Sequence, residues 1–224
     1  MLYNEVEIKS AALGGSTLLG TINLAPNPRG SVLFSHNASG SKDDPVLSAL
    51  EHSTFQAGFS TLKYDFHYLQ DSAPGSVDLE NISFPDVLKD FDAAYSTLLN
   101  KVTVSNVYLV GKSLGGVTSL AYSIENSLKN PIIILGFFEP WVMKYIGESK
   151  LRDLKAPVCV IHGERDEYTT IEATRALLGK NRVNSTLYEI KSAQHGLKSF
   201  DESVRTSEDI FAEVEQILLK FLTK

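Results

Sequence analysis

Apolar residues along this chain follow two alternating patterns. Short, nearly continuous apolar runs alternate with longer segments in which apolar residues recur at helical spacing, as they do throughout residues 84–99. The short runs predict strands at 5–9, 17–24, 31–35, 60–64, 105–110, 131–135, 157–162 and 185–190. The longer segments predict helices at 45–57, 84–99, 114–128, 170–179 and 203–222.

The alternation of strands and helices predicts an α/β fold. Near-continuous apolar strands are typical of a mostly parallel sheet whose two faces are covered by helices, and we expect the first strands to form an antiparallel edge. No internal repeat, low-complexity tract or dividing linker interrupts residues 1–224, so we expect a single domain. The short connection from Leu135 to Pro157 leaves room for one short helix near 141–146 and for little or no lid.

The strongest chemical signal is the segment GKSLG, in which Gly111 and Gly115 flank Ser113. A predicted strand precedes this G-x-S-x-G pattern and a predicted helix follows it. A serine on such a tight strand-to-helix turn points its hydroxyl out of the carboxyl edge of the sheet. Glycine is expected on both sides because a Cβ there would strike the adjacent strand or helix. Ser113 is therefore the candidate nucleophile, in a strained backbone conformation.

A catalytic serine needs a base, and the base needs an acid that orients it. In enzymes with this turn, the acid and then the histidine follow the serine along the chain. Asp166 lies in a short acidic loop after the predicted strand 157–162, and His195 lies in a loop before the last helix. These two residues are the candidate acid and base. The alternative candidates for the acid are Glu139, Glu164 and Glu167.

Several other residues that can carry chemistry have simpler interpretations. His36 and His162 end predicted strands, and each is expected to hydrogen-bond a loop rather than to act as a base. Cys159 lies inside an apolar strand and is expected to be a buried small hydrophobe. Three aromatic residues after the strand at 131–135 either line an acyl pocket or pack in the core: Phe137, Phe138 and Trp141.

Local patterns occur in the chain order SHNASG at 35–40, KYDF at 63–66, GKSLGG at 111–116, and HGERDE with AQHGL at 162–167 and 193–197. In these patterns the chain resembles the α/β-hydrolase superfamily, and it is most similar to the small hydrolases with little or no lid, near the dienelactone hydrolases. The resemblance implies the α/β-hydrolase fold and a triad of Ser113, His195 and Asp166. Dienelactone hydrolases carry a cysteine nucleophile, so lactone chemistry is not carried over to a chain with Ser113.

The same resemblance implies an oxyanion hole made by two backbone N–H groups. The first is that of Leu114, directly after the nucleophile and at the start of a helix, where the helix dipole favours negative charge. The second is expected in the loop after the strand at 31–35, where family members usually have His-Gly-x and the third residue donates. Here that triplet is His36-Asn37-Ala38, which indicates Ala38. Asn tolerates left-handed backbone conformations better than most residues, so the loop can accommodate Asn37.

Composition narrows the classes of function. The formal net charge of −6 argues against a nucleic-acid surface, which is normally basic. One cysteine excludes an internal disulfide, and the N-terminus lacks a signal-peptide pattern, so we expect a cytoplasmic protein. No run of 18 apolar residues occurs, so no membrane span is expected.

These observations predict a serine hydrolase that acts on a small-molecule ester, thioester or similar acyl bond, with no metal and no organic cofactor. With little or no lid, the site is expected to be open, and the loop at 67–82 is the other segment expected to shape the pocket. Two alternatives stay open: a binding or scaffold protein that keeps the fold without turnover, and a peptidase or acyltransferase that uses the same site. The sequence does not indicate an oligomeric state.

Overall fold

The computed structural model describes residues 4–70, 82–104 and 106–223. The strands are β1 (Asn4–Lys9), β2 (Thr17–Asn23), β3 (Ser31–Ser35), β4 (Ser60–Tyr64), β5 (Val107–Lys112), β6 (Ile132–Leu135), β7 (Val158–Gly163) and β8 (Ser185–Ile190). The helices are α1 (Pro45–Gln56), α2 (Phe84–Lys101), α3 (Leu114–Glu125), α4 (Glu139–Trp141), α5 (Ile171–Lys180) and α6 (Ser207–Leu222).

The strands are ordered β1-β2-β4-β3-β5-β6-β7-β8. β1 pairs antiparallel with β2, and β2 pairs antiparallel with β4. The pairs β3–β4, β6–β7 and β7–β8 are parallel. This confirms the predicted α/β-hydrolase fold, with a mostly parallel sheet and an antiparallel N-terminal edge.

The chain forms two compact units, residues 1–109 and 110–224, and the division falls within β5. The prediction of one domain over residues 1–224 stays a prediction. Among the described residues, no helix is both long and apolar enough to cross a bilayer.

The first unit encloses a buried carboxylate on α2. Asp90 accepts hydrogen bonds from the Ser10 hydroxyl (2.6 Å) and from the backbone N–H of His67 (2.8 Å), and its Oδ2 lies 2.5 Å from His67 Nδ1. A buried carboxylate is costly unless it is hydrogen-bonded, and these contacts satisfy it. They join α2 to the end of β1 and to the turn after β4.

In the second unit, the central strands are buried along their whole length. Every residue of β6 and of β7 is buried, as expected for parallel strands covered on both sides. Cys159 in β7 is buried and not in a disulfide, which confirms its predicted environment.

Some predicted boundaries were wrong. α6 begins at Ser207 and not at 203, because Thr206 and Asp209 form a reciprocal capping box that starts the helix there. β5 was predicted at 105–110, but it runs from Val107 to Lys112, directly up to the candidate nucleophile. Residue 105 lies outside the described residues.

The connection between β6 and β7 contains three short helical segments rather than the single helix predicted near 141–146. The three-residue α4 continues into a π-turn at Val142–Ile146 and then a 3-10 turn at Glu148–Asp153. No cap domain is inserted here, which confirms the predicted absence of a large lid at this position. In the other predicted pocket loop, residues His67–Leu69 form a 3-10 turn, whereas 71–81 lie outside the described residues, so its role stays a prediction.

Candidate active site

Ser113 lies on the turn between β5 and α3, in a backbone conformation that non-glycine residues rarely adopt. Its φ is 49° and its ψ is −107°. Its N–H donates to the carbonyl oxygen of Leu135 on β6 (3.0 Å), which holds the turn against the neighbouring strand. Strain of this kind costs about 1–3 kcal/mol and is concentrated at functional sites. The predicted strained turn is therefore present.

Glycines make this turn possible. A Cβ on Gly111 would lie 2.2 Å from the carbonyl carbon of Gly115, and one on Gly116 would lie 2.6 Å from the side chain of Ile134. Both distances are too short for real carbon atoms. α3 can therefore begin immediately after Ser113 and pack closely on β5 and β6 only if these positions lack side chains.

The three predicted catalytic side chains lie in one hydrogen-bonded chain. His195 Nε2 is 3.0 Å from Ser113 Oγ, and His195 Nδ1 is 2.7 Å from Asp166 Oδ2. Ser113 and His195 are each about 9% exposed, so the hydrogen bonds are largely shielded from water. The arrangement has the geometry of a nucleophile, a base and an acid that orients the base.

Asp166 is held by the turn that follows β7. Its Oδ1 accepts hydrogen bonds from the N–H groups of Tyr168 (2.9 Å) and Thr169 (3.0 Å), which leaves Oδ2 for His195. Burial by itself would raise the pKa of Asp166, but the hydrogen bond and charge of His195 and the two N–H donors outweigh it, so the pKa is lowered. With Nδ1 of His195 hydrogen-bonded to Asp166, the other ring nitrogen, Nε2, lies on the side of Ser113.

The carboxylates of two alternative acids, Glu164 and Glu167, have other partners. Glu164 accepts hydrogen bonds from Lys191 Nζ and from the N–H of Ser192, each at 3.0 Å. Glu167 accepts from the backbone N–H of His195 at 3.2 Å, so it contacts the loop and not the imidazole. The backbone N–H of Glu139 donates to the Thr169 hydroxyl. The geometry therefore favours Asp166 as the acid.

Two further glycines, outside the predicted site residues, allow the His195 loop to approach the strands. A Cβ on Gly136, directly after β6, would lie 2.5 Å from the carbonyl oxygen of His195, and its φ is +72°. A Cβ on Gly163, at the end of β7, would lie 2.4 Å from the carbonyl oxygen of Ala193. The signal in the sequence was a glycine at the end of each of two buried strands.

We expect Gly136→Ala to lower kcat strongly, because the new methyl group must push the His195 backbone away and the positive φ adds strain. A displacement of about 1 Å at a catalytic group can cost about 10²-fold in rate. Steady-state kinetics on p-nitrophenyl acetate measure the effect. Gly196→Ala is the matched control, since Gly196 adjoins His195 but a Cβ there meets no atom within 4 Å. Equal losses in the two variants would contradict this interpretation.

His162, at the end of β7, supports the loop that carries Asp166. It is fully buried, and its Nε2 donates to the carbonyl oxygen of Thr169 at 2.6 Å. The same nitrogen lies 3.7 Å from Asp166 Oδ2. This confirms that His162 hydrogen-bonds a loop, and the loop is the one that carries the candidate acid.

His36, in the first unit, also hydrogen-bonds a loop as predicted. Its Nε2 accepts the N–H of Phe66 (3.1 Å), and its Nδ1 contacts the Asn37 carbonyl oxygen (2.6 Å). Burial lowers the pKa of His36 to about 4, so the ring is neutral at neutral pH. Ala38, two residues on, is buried, and its carbonyl oxygen accepts from the Tyr68 hydroxyl. The role of the Ala38 N–H in an oxyanion hole stays a prediction.

Leu114 is the first residue of α3 and directly follows Ser113, as the predicted first oxyanion donor requires. The helix dipole favours negative charge at this end. Within the part of the chain that the structure describes, no group of three or more His, Cys, Asp or Glu side chains is arranged to bind a metal ion.

Comparison with known proteins identifies the family of the chain. The family model described as an alpha/beta hydrolase domain matches residues 28–223. The chain belongs to this alpha/beta hydrolase family. A protein of Acanthamoeba polyphaga mimivirus, which carries the same family name, is 24% identical over 164 residues, covering 65% of this chain and 59% of that protein. The chain thus spans about 59% of the length of the curated relative that it matches.

Solved structures with the same fold include a dienelactone hydrolase from Anabaena variabilis, with 20% identity and a TM-score of 0.78 over 100% of this α/β hydrolase and 98% of that chain. A serine hydrolase without a lid from Xanthomonas campestris matches with 15% identity and a TM-score of 0.72 over 100% and 98% of the two chains. Est1E from Butyrivibrio proteoclasticus matches with 16% identity and a TM-score of 0.71 over 97% and 99%. At these identities, the matches show the fold of this α/β hydrolase.

Proposed function

We propose that this α/β hydrolase cleaves a small carboxylic ester, thioester or comparable acyl bond, with Ser113 as the nucleophile. The observation that carries the proposal is the continuous hydrogen-bonded chain from Ser113 Oγ to His195 (3.0 Å) and on to Asp166 (2.7 Å). The strained turn at Ser113 supports it, since such strain persists where a hydroxyl must be held in one position.

In the proposed reaction, each of the three side chains has one task. Ser113 Oγ attacks the carbonyl carbon while His195 Nε2 takes its proton, and the resulting imidazolium is stabilised by the ionised Asp166. His195 then gives that proton to the leaving oxygen or sulfur, and an acyl-Ser113 ester remains. Water attacks this ester, again with His195 as the base, and the carboxylic acid and free Ser113 are released.

We also propose that the Leu114 N–H binds the oxygen that becomes negative during each attack. It belongs to the residue directly after the nucleophile, at the N-terminus of the 12-residue helix α3. A fixed donor in a water-poor site stabilises such a charge more than water does. Two other proposals are a cytoplasmic location, for a chain with one buried cysteine, and a small-molecule partner.

The alternatives differ in the bond cleaved or in the absence of cleavage. An esterase should hydrolyse p-nitrophenyl acetate far faster than the matched acetyl p-nitroanilide, whereas a peptidase should cleave the anilide as well. An acyltransferase should form a new ester when an alcohol acceptor is added. A scaffold protein should turn over none of these. Product analysis on the purified chain therefore separates the four possibilities.

We expect kcat/KM to be highest for short acyl groups. The helical segments between β6 and β7 are short, so little of this connection is available to enclose a long acyl chain. Each buried CH₂ group contributes about 0.8 kcal/mol to binding. A site that buries few methylenes therefore gains little affinity from a longer acyl chain. A series of p-nitrophenyl esters from acetyl to octanoyl measures how kcat/KM depends on the length of the acyl chain. A steady rise in kcat/KM to octanoyl would show an apolar tunnel and contradict this prediction.

A further inference from the structure

Four aromatic side chains in the second unit form a continuous cluster beside His195. Phe138 is the centre of this cluster: its ring centroid lies 4.9 Å from Trp141, 5.3 Å from Tyr168 and 5.7 Å from the imidazole of His195. Tyr168 itself lies 5.0 Å from the imidazole, and Tyr145 extends the cluster 6.3 Å beyond Trp141. Most of these contacts are edge-to-face, the arrangement that aromatic rings prefer.

This aromatic cluster is not part of the buried core. The ring of Phe137 is 1% exposed and belongs to the core, whereas Tyr168 is 59% exposed, and Phe138 and Trp141 are half-buried. Rings that serve only to pack the protein are expected in its buried core, because an aromatic side chain stabilises the fold mainly through the apolar area that it buries. A set of neighbouring rings that is left partly exposed is typical of a binding surface.

The position of His195 determines which part of a substrate these rings would contact. Its Nε2 faces Ser113, and in the proposed reaction the same nitrogen returns the proton to the leaving oxygen. That oxygen must therefore come within about 3 Å of Nε2. Rings whose centroids lie 5.0 and 5.7 Å from the imidazole are within reach of a group bound at that nitrogen.

The two carboxylates that contact His195 disfavour an anionic leaving group. Asp166 and Glu167 both contact His195, one at the imidazole and one at the backbone N–H. An anionic leaving group beside the same rings would be repelled by these two carboxylates, whereas an uncharged ring would not.

We propose that Phe138, Trp141 and Tyr168 form the subsite for the leaving alcohol, and that this subsite takes a neutral aromatic alcohol group. The proposal rests on the proposed hydrolase function and specifies its substrate class. An aromatic substituent can add its own edge-to-face contact to the existing cluster, and an aliphatic ring of similar size cannot.

The test compares two esters that differ in aromaticity: benzyl acetate and cyclohexylmethyl acetate. Both release a primary alcohol from the same acyl group, so their ratio of kcat/KM isolates recognition of the ring. An aromatic contact of the usual energy gives a ratio of about 2 to 12 in the unmodified protein. Because both esters use the same catalytic groups, the ratio is insensitive to general loss of activity in a variant.

Variants of the cluster test whether its rings produce this ratio of kcat/KM. Tyr168→Leu and Trp141→Leu should each lower the ratio towards 1, and Tyr168→Phe, which keeps the ring, should retain it. Phe200→Leu is the matched control: Phe200 is 61% exposed and lies under Arg165, and this variant should leave the ratio unchanged.

A ratio near 1 in the unmodified protein, or an unchanged ratio in Tyr168→Leu and Trp141→Leu, would overturn the subsite. Hydrolysis of ethyl acetate without hydrolysis of benzyl acetate would overturn it too, while the hydrolase function would stand. Failure to hydrolyse any of the three esters would overturn the subsite, and it would overturn the hydrolase function as well if a fluorophosphonate probe also fails to label Ser113.

Discussion

Replacing Ser113 by alanine is expected to lower kcat for ester hydrolysis by about 10⁶-fold, as the loss of a serine nucleophile does in other triads. Without Oγ, the base His195 has no proton to remove and no acyl-enzyme can form. Alanine keeps the Cβ of serine and takes its place on the same strained turn, so the fold should be retained. Steady-state kinetics with p-nitrophenyl acetate measure the loss, and circular dichroism checks the fold.

Ser119→Ala is the matched control for that variant. Ser119 lies on α3 in the same unit, is buried, and donates its hydroxyl to the Gly115 carbonyl oxygen at 2.8 Å. Losing one such hydrogen bond should cost about 1 kcal/mol of stability and leave kcat nearly unchanged. A Ser113→Ala variant that keeps most of its activity would mean that another residue is the nucleophile.

Replacing Asp166 by asparagine is expected to lower kcat by about 10⁴-fold. The amide can still occupy the turn, but it can donate a proton towards His195 Nδ1, which favours the tautomer whose Nε2 carries a proton. That tautomer cannot accept the proton of Ser113. Asparagine also lacks the negative charge with which Asp166 would stabilise the imidazolium. Kinetics on p-nitrophenyl acetate again measure the effect.

Glu164→Gln and Glu167→Gln are the controls, since both carboxylates lie on the same loop but hydrogen-bond other groups. Both variants should lose little activity compared with Asp166→Asn. A severe loss in Glu164→Gln together with a mild loss in Asp166→Asn would move the role of the acid to Glu164.

The order of strands and helices along the chain was predictable, because the spacing of apolar residues indicates which residues of each element are buried. β7 begins with a continuous apolar run, Val158 to Ile161, and is buried along its whole length. The turn at Ser113 was predictable as well, since few sequences other than glycine-flanked ones can fold so tightly. The start of α6 was missed because its signal in the sequence is the Thr206–Asp209 capping box, and the apolar pattern does not mark that residue.

The choice of the acid needed the structure. Glu164, Asp166 and Glu167 are separated by one or two residues, so spacing along the chain cannot distinguish them. Asp166 is distinguished by its turn, where two backbone N–H groups hold one carboxylate oxygen and leave the other for His195. The contact of Gly136 with His195 was also beyond the sequence, since it joins residues far apart in the chain.

The aromatic cluster beside His195 could not be predicted for the same reason. Phe138 and Trp141 follow β6, whereas Tyr168 follows β7, and only the fold brings their rings together. In the sequence, Phe137 and Phe138 look equivalent. The structure separates them, because one ring is buried and the other faces His195.

The most direct test of the proposed chemistry is covalent labelling with a fluorophosphonate probe, which reacts with activated serine hydroxyl groups. Tandem mass spectrometry of the digested protein then identifies the modified residue. We predict one adduct per chain, on Ser113, and no adduct after heat denaturation or in the Ser113→Ala and His195→Ala variants. An adduct on a different serine, or no adduct on the folded, unmodified chain, would contradict the assignment of Ser113 as an activated nucleophile.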